Sequence, residues 1–121
     1  DDNELEELPG AVGRFQALER LHAAGNRLAR LPTEVGQLSL LRTLSLTRNL
    51  LCALPEELAS CTALEQLWLS GNQLKTLPEG MGRLSRLRVL WLDRNDLRSL
   101  PTSAGGWRAL EQLQLGGNGK L

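Results

Sequence analysis

The sequence is poor in most of what marks a site of chemistry. Of its 121 residues only 3% are aromatic: Phe15, Trp68, Trp91 and Trp107, with no tyrosine. His22 is the single histidine, and Cys52 and Cys61 are the two cysteines. Two cysteines cannot build a disulfide framework, and their separation is not that of zinc ligands. Charge of one sign is also lacking, since 14 Lys+Arg balance 14 Asp+Glu. A nucleic-acid or membrane-surface binder would instead gather Lys and Arg in excess on one face. No apolar run approaches the roughly 18–20 residues that a membrane-spanning helix needs. The first residues are not signal-like, neither end carries a lipidation motif, and no asparagine stands in an Asn-x-Ser/Thr context. These absences lean toward a reducing, cytoplasmic setting and a protein without a cofactor.

What is abundant is leucine, 30 of the 121 residues. One residue type used so heavily points to a packing position that recurs, so internal repeats are the first thing to seek. Pro9, Pro32, Pro55, Pro78 and Pro101 are spaced 23 residues apart. Asn3, Asn26, Asn49, Asn72, Asn95 and Asn118 keep the same interval. Each unit opens on Leu-Pro and places apolar residues three and six positions after the proline. These are Val12, Val35, Leu58, Met81 and Ala104, then Phe15, Leu38, Cys61, Leu84 and Trp107. A Leu-x-x-Leu-x-Leu-x-x-Asn core follows, as in Leu64, Leu67, Leu69 and Asn72; the earliest copy departs once, with Ala23 in place of the third leucine.

On these residues the chain resembles the leucine-rich repeat family over essentially its whole length. The 23-residue form, as in LPEGMGRLSRLRVLWLDRNDLRSLP, is most similar to the intracellular Ras-group repeats. The resemblance implies an α/β solenoid: a leucine-rich-repeat horseshoe with a concave parallel β-sheet and short helical or 3₁₀ turns on the convex side. It also implies a protein partner, with a small GTPase one possibility.

Elementary physics leads to the same architecture. In Leu-x-Leu, alternate side chains lie on one side of an extended segment, so a short strand turns two leucines inward. A single unit leaves that face wet, and stacking buries it. The recurring asparagine, whose amide both donates and accepts, suits a ladder that satisfies buried loop backbone. The column four residues after each proline, Gly13, Gly36, Ala59, Gly82 and Gly105, predicts close backbone approach. Residues 1–121 read as one such domain of about five units, and both ends break off within a unit, as in a segment of a longer chain.

Stacking at a fixed period also aligns the outward residues into columns. The column between the strand leucines reads His22, Ser45, Trp68, Trp91, Gln114, and the one before it Arg20, Thr43, Gln66, Val89, Gln112. Beyond the second leucine come Ala24, Thr47, Ser70, Asp93, Gly116, then Gly25, Arg48, Gly71, Arg94, Gly117. Trp68 and Trp91 therefore stand side by side, with Arg48, Gln66, Val89, Asp93, Arg94 and His22 around them. Aromatic and arginine side chains clustered on a surface are typical interface anchors. Trp107 and Phe15 share an inward column and are expected in the core. Glu19, Arg42, Glu65, Arg88 and Glu111 alternate in sign along a further column, as a register-fixing ladder of ion pairs would.

Catalysis finds little support. His22 and Ser45 are neighbours in one column, but the outward positions of the first coils carry no carboxylate to orient them. The expectation is a non-catalytic protein-interaction module, monomeric by itself and binding neither nucleic acid nor metal. The competing readings are a structural subunit of a large assembly and a targeting region of a larger kinase or ubiquitin ligase. Magnitude tempers the first: five strands at about 4.8 Å, each showing about 17 Å of chain, give a sheet of roughly 400 Å². A stable interface uses about 800 Å² per partner.

Overall fold

The computed structural model describes residues 4–119 and 121. Asn3, read as part of the repeat pattern, lies outside the described residues. Five three-residue strands alternate with five 3₁₀ helices. The strands are β1 (Arg20–His22), β2 (Thr43–Ser45), β3 (Gln66–Trp68), β4 (Val89–Trp91) and β5 (Gln112–Gln114). They form one sheet in chain order, every pairing parallel. Leu21, Leu44, Leu67, Leu90 and Leu113 are register partners, so equivalent residues of successive units face one another across the ladder. This is a leucine-rich-repeat solenoid.

The return path of each coil is a five-residue 3₁₀ helix: Gly10–Arg14, Thr33–Gln37, Glu56–Ser60, Glu79–Arg83 and Thr102–Gly106. Each starts directly after its proline, whose φ lies between −56° and −69°. The pyrrolidine ring sets that angle in advance and so does the work of a helix start without a capping side chain. Segments such as TEVGQ and TSAGG, rich in glycine and β-branched or small residues, lack the propensity and length for an α-helix. Neighbouring return paths approach closely. A Cβ on Gly36 would lie 2.6 Å from the Glu57 carbonyl oxygen, and one on Gly13 would lie 2.8 Å from that of Glu34. The glycines of this column are therefore a packing requirement of the inner coils, as their recurrence indicates.

Inside the coils runs a continuous file of leucines, with Leu41, Leu44, Leu46, Leu64, Leu67, Leu69, Leu87, Leu90 and Leu92 fully buried. Each such side chain contributes about 1.5–3 kcal/mol relative to exposure. The asparagine column closes the loops. Asn72 accepts from the Leu51 N–H (3.1 Å) and donates to the carbonyls of Leu46 (3.0 Å) and Leu69 (2.9 Å). Asn49, Asn95 and Asn118 repeat the pattern on Leu28, Leu74 and Leu97. One side chain thus ties its own strand to the coil before it.

The inward column of Phe15 and Trp107 divides. Trp107 is buried and its Nε1 donates to the Met81 carbonyl at 2.8 Å, as a core position requires. Phe15 is 63% exposed, which corrects the core expectation. The reason is directional: side chains of this column reach the coil before their own, Trp107 to Met81 and Cys61 to Val35, each 26 residues back. Phe15 lies on the first described coil and has no such neighbour among the described residues.

Candidate functional site

The parallel register sets Trp68 directly opposite Trp91 on adjacent strands. Because neighbouring strands are about 4.8 Å apart, the two indoles meet. Their centroids are 5.7 Å apart and their planes 29° from parallel, a stacked pair. His22 reaches toward the same pair from β1: its ring centroid lies 6.5 Å from that of Trp68, tilted by 50°. Small, buried Ser45 on the intervening strand leaves the room. The result is a strip of three rings crossing the sheet at right angles to its strands.

Both tryptophans are half-buried rather than fully exposed, because each covers part of the other. Their Nε1 atoms are shielded from solvent and have no hydrogen-bond partner among the described residues. A shielded, unpartnered N–H costs roughly 1–3 kcal/mol. Folding alone therefore gains nothing from having indole, rather than a plain apolar ring, at these two places.

Arg48 and Arg94 flank the strip where the chain leaves β2 and β4. Both hold a left-handed backbone, with φ of 56° and 55°. Gly25, Gly71 and Gly117 occupy the same position in the other coils, with φ between 69° and 75°. Asp93 is held from two sides, accepting from Ser70 Oγ at one carboxylate oxygen and from Arg94 Nε (3.3 Å) at the other. Ser70 thus orients a member of the cluster and was not singled out by sequence reasoning; its place one coil before Asp93 in the same column was the available signal. On the other side of the rings, Gln66 and Val89 are register partners, and Gln66 Oε1 accepts from Thr43 Oγ1 at 3.2 Å. The structure therefore brings Trp68, Trp91, Gln66, Val89, Asp93 and Arg94 onto adjacent coils, with Arg48 one coil and His22 two coils away from Trp68.

The alternating charge column forms the ladder that its spacing predicts. Arg42 lies 3.7 Å from Glu19 and donates to Glu65 at 2.8 Å, and Arg88 donates to Glu111. The hydrogen bond from Arg42 holds the Glu65 carboxyl below its ordinary range, helped by the charges of Arg42 and Arg88. The same bond with Glu65 raises the Arg42 guanidinium, and that with Glu111 raises Arg88. These pairs are solvent-exposed, so they hold register more than they add stability.

Cys61 is buried, its Sγ donating to the Val35 carbonyl, and desolvation pushes the thiol up to about 11. That is the opposite of an activated nucleophile. Among the described residues no group of three His, Cys, Asp or Glu is placed to hold a metal ion, and no helix is long and apolar enough to cross a membrane.

The leucine-rich repeat family profile matches residues 16–74. No curated protein matches the chain. Solved structures do. A leucine-rich repeat protein of Leptospira interrogans is 36% identical over 95% of this chain, with a TM-score of 0.67. The leucine-rich repeat ectodomain of the plant membrane receptor kinase GASSHO1/SCHENGEN3 from Arabidopsis thaliana, in complex with Casparian strip integrity factor 2, is 34% identical over 93%, with a TM-score of 0.85. A TDR receptor is 29% identical over 93%, also at 0.85. The chain spans 35%, 14% and 20% of the lengths of these three proteins, respectively.

Proposed function

We propose that this leucine-rich-repeat solenoid is a non-catalytic protein-interaction module that holds its partner on the concave face, centred on Trp68 and Trp91. The observation that carries this reading is the stacked indole pair with two unpartnered N–H groups. Folding does not need indole there, and large rings at the middle of a sheet face are the side chains that most often dominate binding energy. The similar receptor ectodomain, solved in complex with Casparian strip integrity factor 2, supports the class of function. The footprint of roughly 400 Å² is half that of a stable interface, so binding by these coils alone is weak, or the flanking loops join in. The 23-residue period and two free thiols support an intracellular, Ras-group assignment, with a small GTPase among the partners that such repeats suit.

Replacing both tryptophans (Trp68→Ala with Trp91→Ala) is the direct test. Partner capture by the full-length protein falls by at least about tenfold while the melting midpoint drops by only the few degrees that losing one cross-strand ring pair costs. Unchanged capture would favour the scaffold reading. That second reading draws on Leu40 and Leu50, which are 52% and 44% exposed away from the tryptophan strip and offer apolar contacts of their own.

A further inference from the structure

We propose that the Trp68–Trp91 pair is a two-state device. Besides the stack it has a parted form in which each indole N–H donates outward, Trp68 to the Ser45 hydroxyl and Trp91 to the Gln114 side-chain carbonyl. This equilibrium belongs to the free protein, and the concave-face reading does not depend on it. Its first support is what the stack leaves undone. Both Nε1 atoms are shielded from solvent and lack an acceptor among the described residues. Trp107 shows the paired alternative in the same fold, its Nε1 donating to the Met81 carbonyl at 2.8 Å. Two stranded N–H groups together cost more than one ring pair returns beyond the apolar area it buries. The stack is therefore held mainly by that area, and a form that pairs the N–H groups while keeping ring contact competes with it.

The order of residues along the column supplies the second. Register places Ser45 opposite Trp68 on β2 and Gln114 opposite Trp91 on β5. Each indole thus has the other ring on one side and a hydrogen-bonding side chain on the other. Neighbouring strands are about 4.8 Å apart, within reach of a turned indole. Neither the Ser45 hydroxyl nor the Gln114 amide engages in a hydrogen bond among the described residues. Both are available acceptors, whereas the backbone carbonyls of Ser45 and Gln114 are already taken by the Ala23 and Leu92 N–H groups.

Room and compensation are the third. Ser45 is small, and the His22 ring beyond it lies 6.5 Å from that of Trp68, within the span over which rings attract. As Trp68 leans toward β2 it exchanges one aromatic neighbour for another. Trp91 leans toward β5, whose three residues are all exposed, so no buried side chain is displaced. The backbone stays in place, because the Leu46 and Leu69 N–H groups hold the Trp68 and Trp91 carbonyls in the ladder, each at 2.8 Å. What changes is the surface: the stacked form shows a closed pair of rings, and the parted form a slot between them. A partner shifts this balance only as far as it prefers one form to the other.

Fluorine NMR of the full-length protein labelled with 5-fluorotryptophan, without a partner, tests this. The three signals are assigned from the single changes Trp68→Phe, Trp91→Phe and Trp107→Phe, and saturation transfer is then read at each. Trp68 and Trp91 are expected to exchange with a minor form of at least about 1%, and Trp107, already paired, to show none. Gln114→Leu, a change on an exposed strand, lowers the minor population at least about twofold, and adding Ser45→Ala lowers it at least about fivefold. Gln114→Glu keeps an acceptor at that place and leaves the exchange at Trp91 present. Absence of exchange at Trp68 and Trp91, equal exchange at Trp107, or a minor population unmoved by the Gln114→Leu change would overturn the proposal. So would loss of the exchange in the Gln114→Glu variant. Partner capture is a separate measurement, so failure of the parted form leaves the concave-face reading as it stands.

Discussion

Cys61 shows how a single side chain reports on the interior. Its column holds Leu38 and Leu84 in the neighbouring coils, so a thiol there acts as a small apolar group, and it is fully buried. Desolvation disfavours the thiolate and raises the folded pKa to about 11, against 9.0 for an ordinary thiol. Between those values the unfolded chain has already lost the proton that the native state keeps. Stability is therefore complete below about pH 9 and falls as pH rises toward 11, by on the order of 2–3 kcal/mol from this group. Urea unfolding at a series of alkaline pH values tests this. Cys61→Ala is less stable than the parent at pH 7 but declines less steeply above pH 9. An identical slope in both proteins would remove Cys61 as the cause.

At the level of the repeated element, the asparagine ladder makes the units interdependent. Asn72→Ala strands the buried Leu51 N–H and removes one of the two side-chain donors at each of the Leu46 and Leu69 carbonyls, which keep Asn49 and Asn95. A loss of about 3 kcal/mol follows, or roughly 10 °C in melting temperature. Asn26→Ala is expected to lose under about 1 kcal/mol, because Asn26 is half-buried and its acceptor contact with the Leu5 N–H is exposed. Equal losses in thermal melts would mean that the ladder is not graded by burial. This element was largely legible beforehand: asparagine, proline and leucine recur at one interval because each coil poses the same geometric demand. Columns therefore predicted the strand register, the Trp68–Trp91 contact and the Glu–Arg ladder. Phe15 was misjudged because its surroundings depend on the coil before it, which identity within a column does not report. The left-handed turns at Arg48 and Arg94 were hidden for a different reason. Arginine has no backbone signature of its own, and only Gly25, Gly71 and Gly117 in the same column marked the position as unusual.

At the scale of the whole molecule, stability is expected to be graded along the solenoid axis, since each coil touches only its neighbours. Strand β2 is buried at all three residues, β3 and β4 bury their central leucine, and β5 is exposed throughout, including Leu113 at 40%. Leu67, Leu90 and Leu113 are register partners of one sequence type, so the difference in their burial comes from position in the stack and not from the residue. Native-state hydrogen exchange should resolve this. The amides of Leu46 and Leu69, which donate to the Trp68 and Trp91 carbonyls, open only with global unfolding. Those of β5 exchange through local opening at a lower free energy. In residues 1–121 taken alone, the tryptophan pair then lies on the part of the sheet that stays folded while β5 opens, so the face proposed for recognition needs no ordering of the sheet. Uniform protection from β1 to β5 would instead show that the five coils fold as one cooperative block, and the pairwise account of their stability would fail.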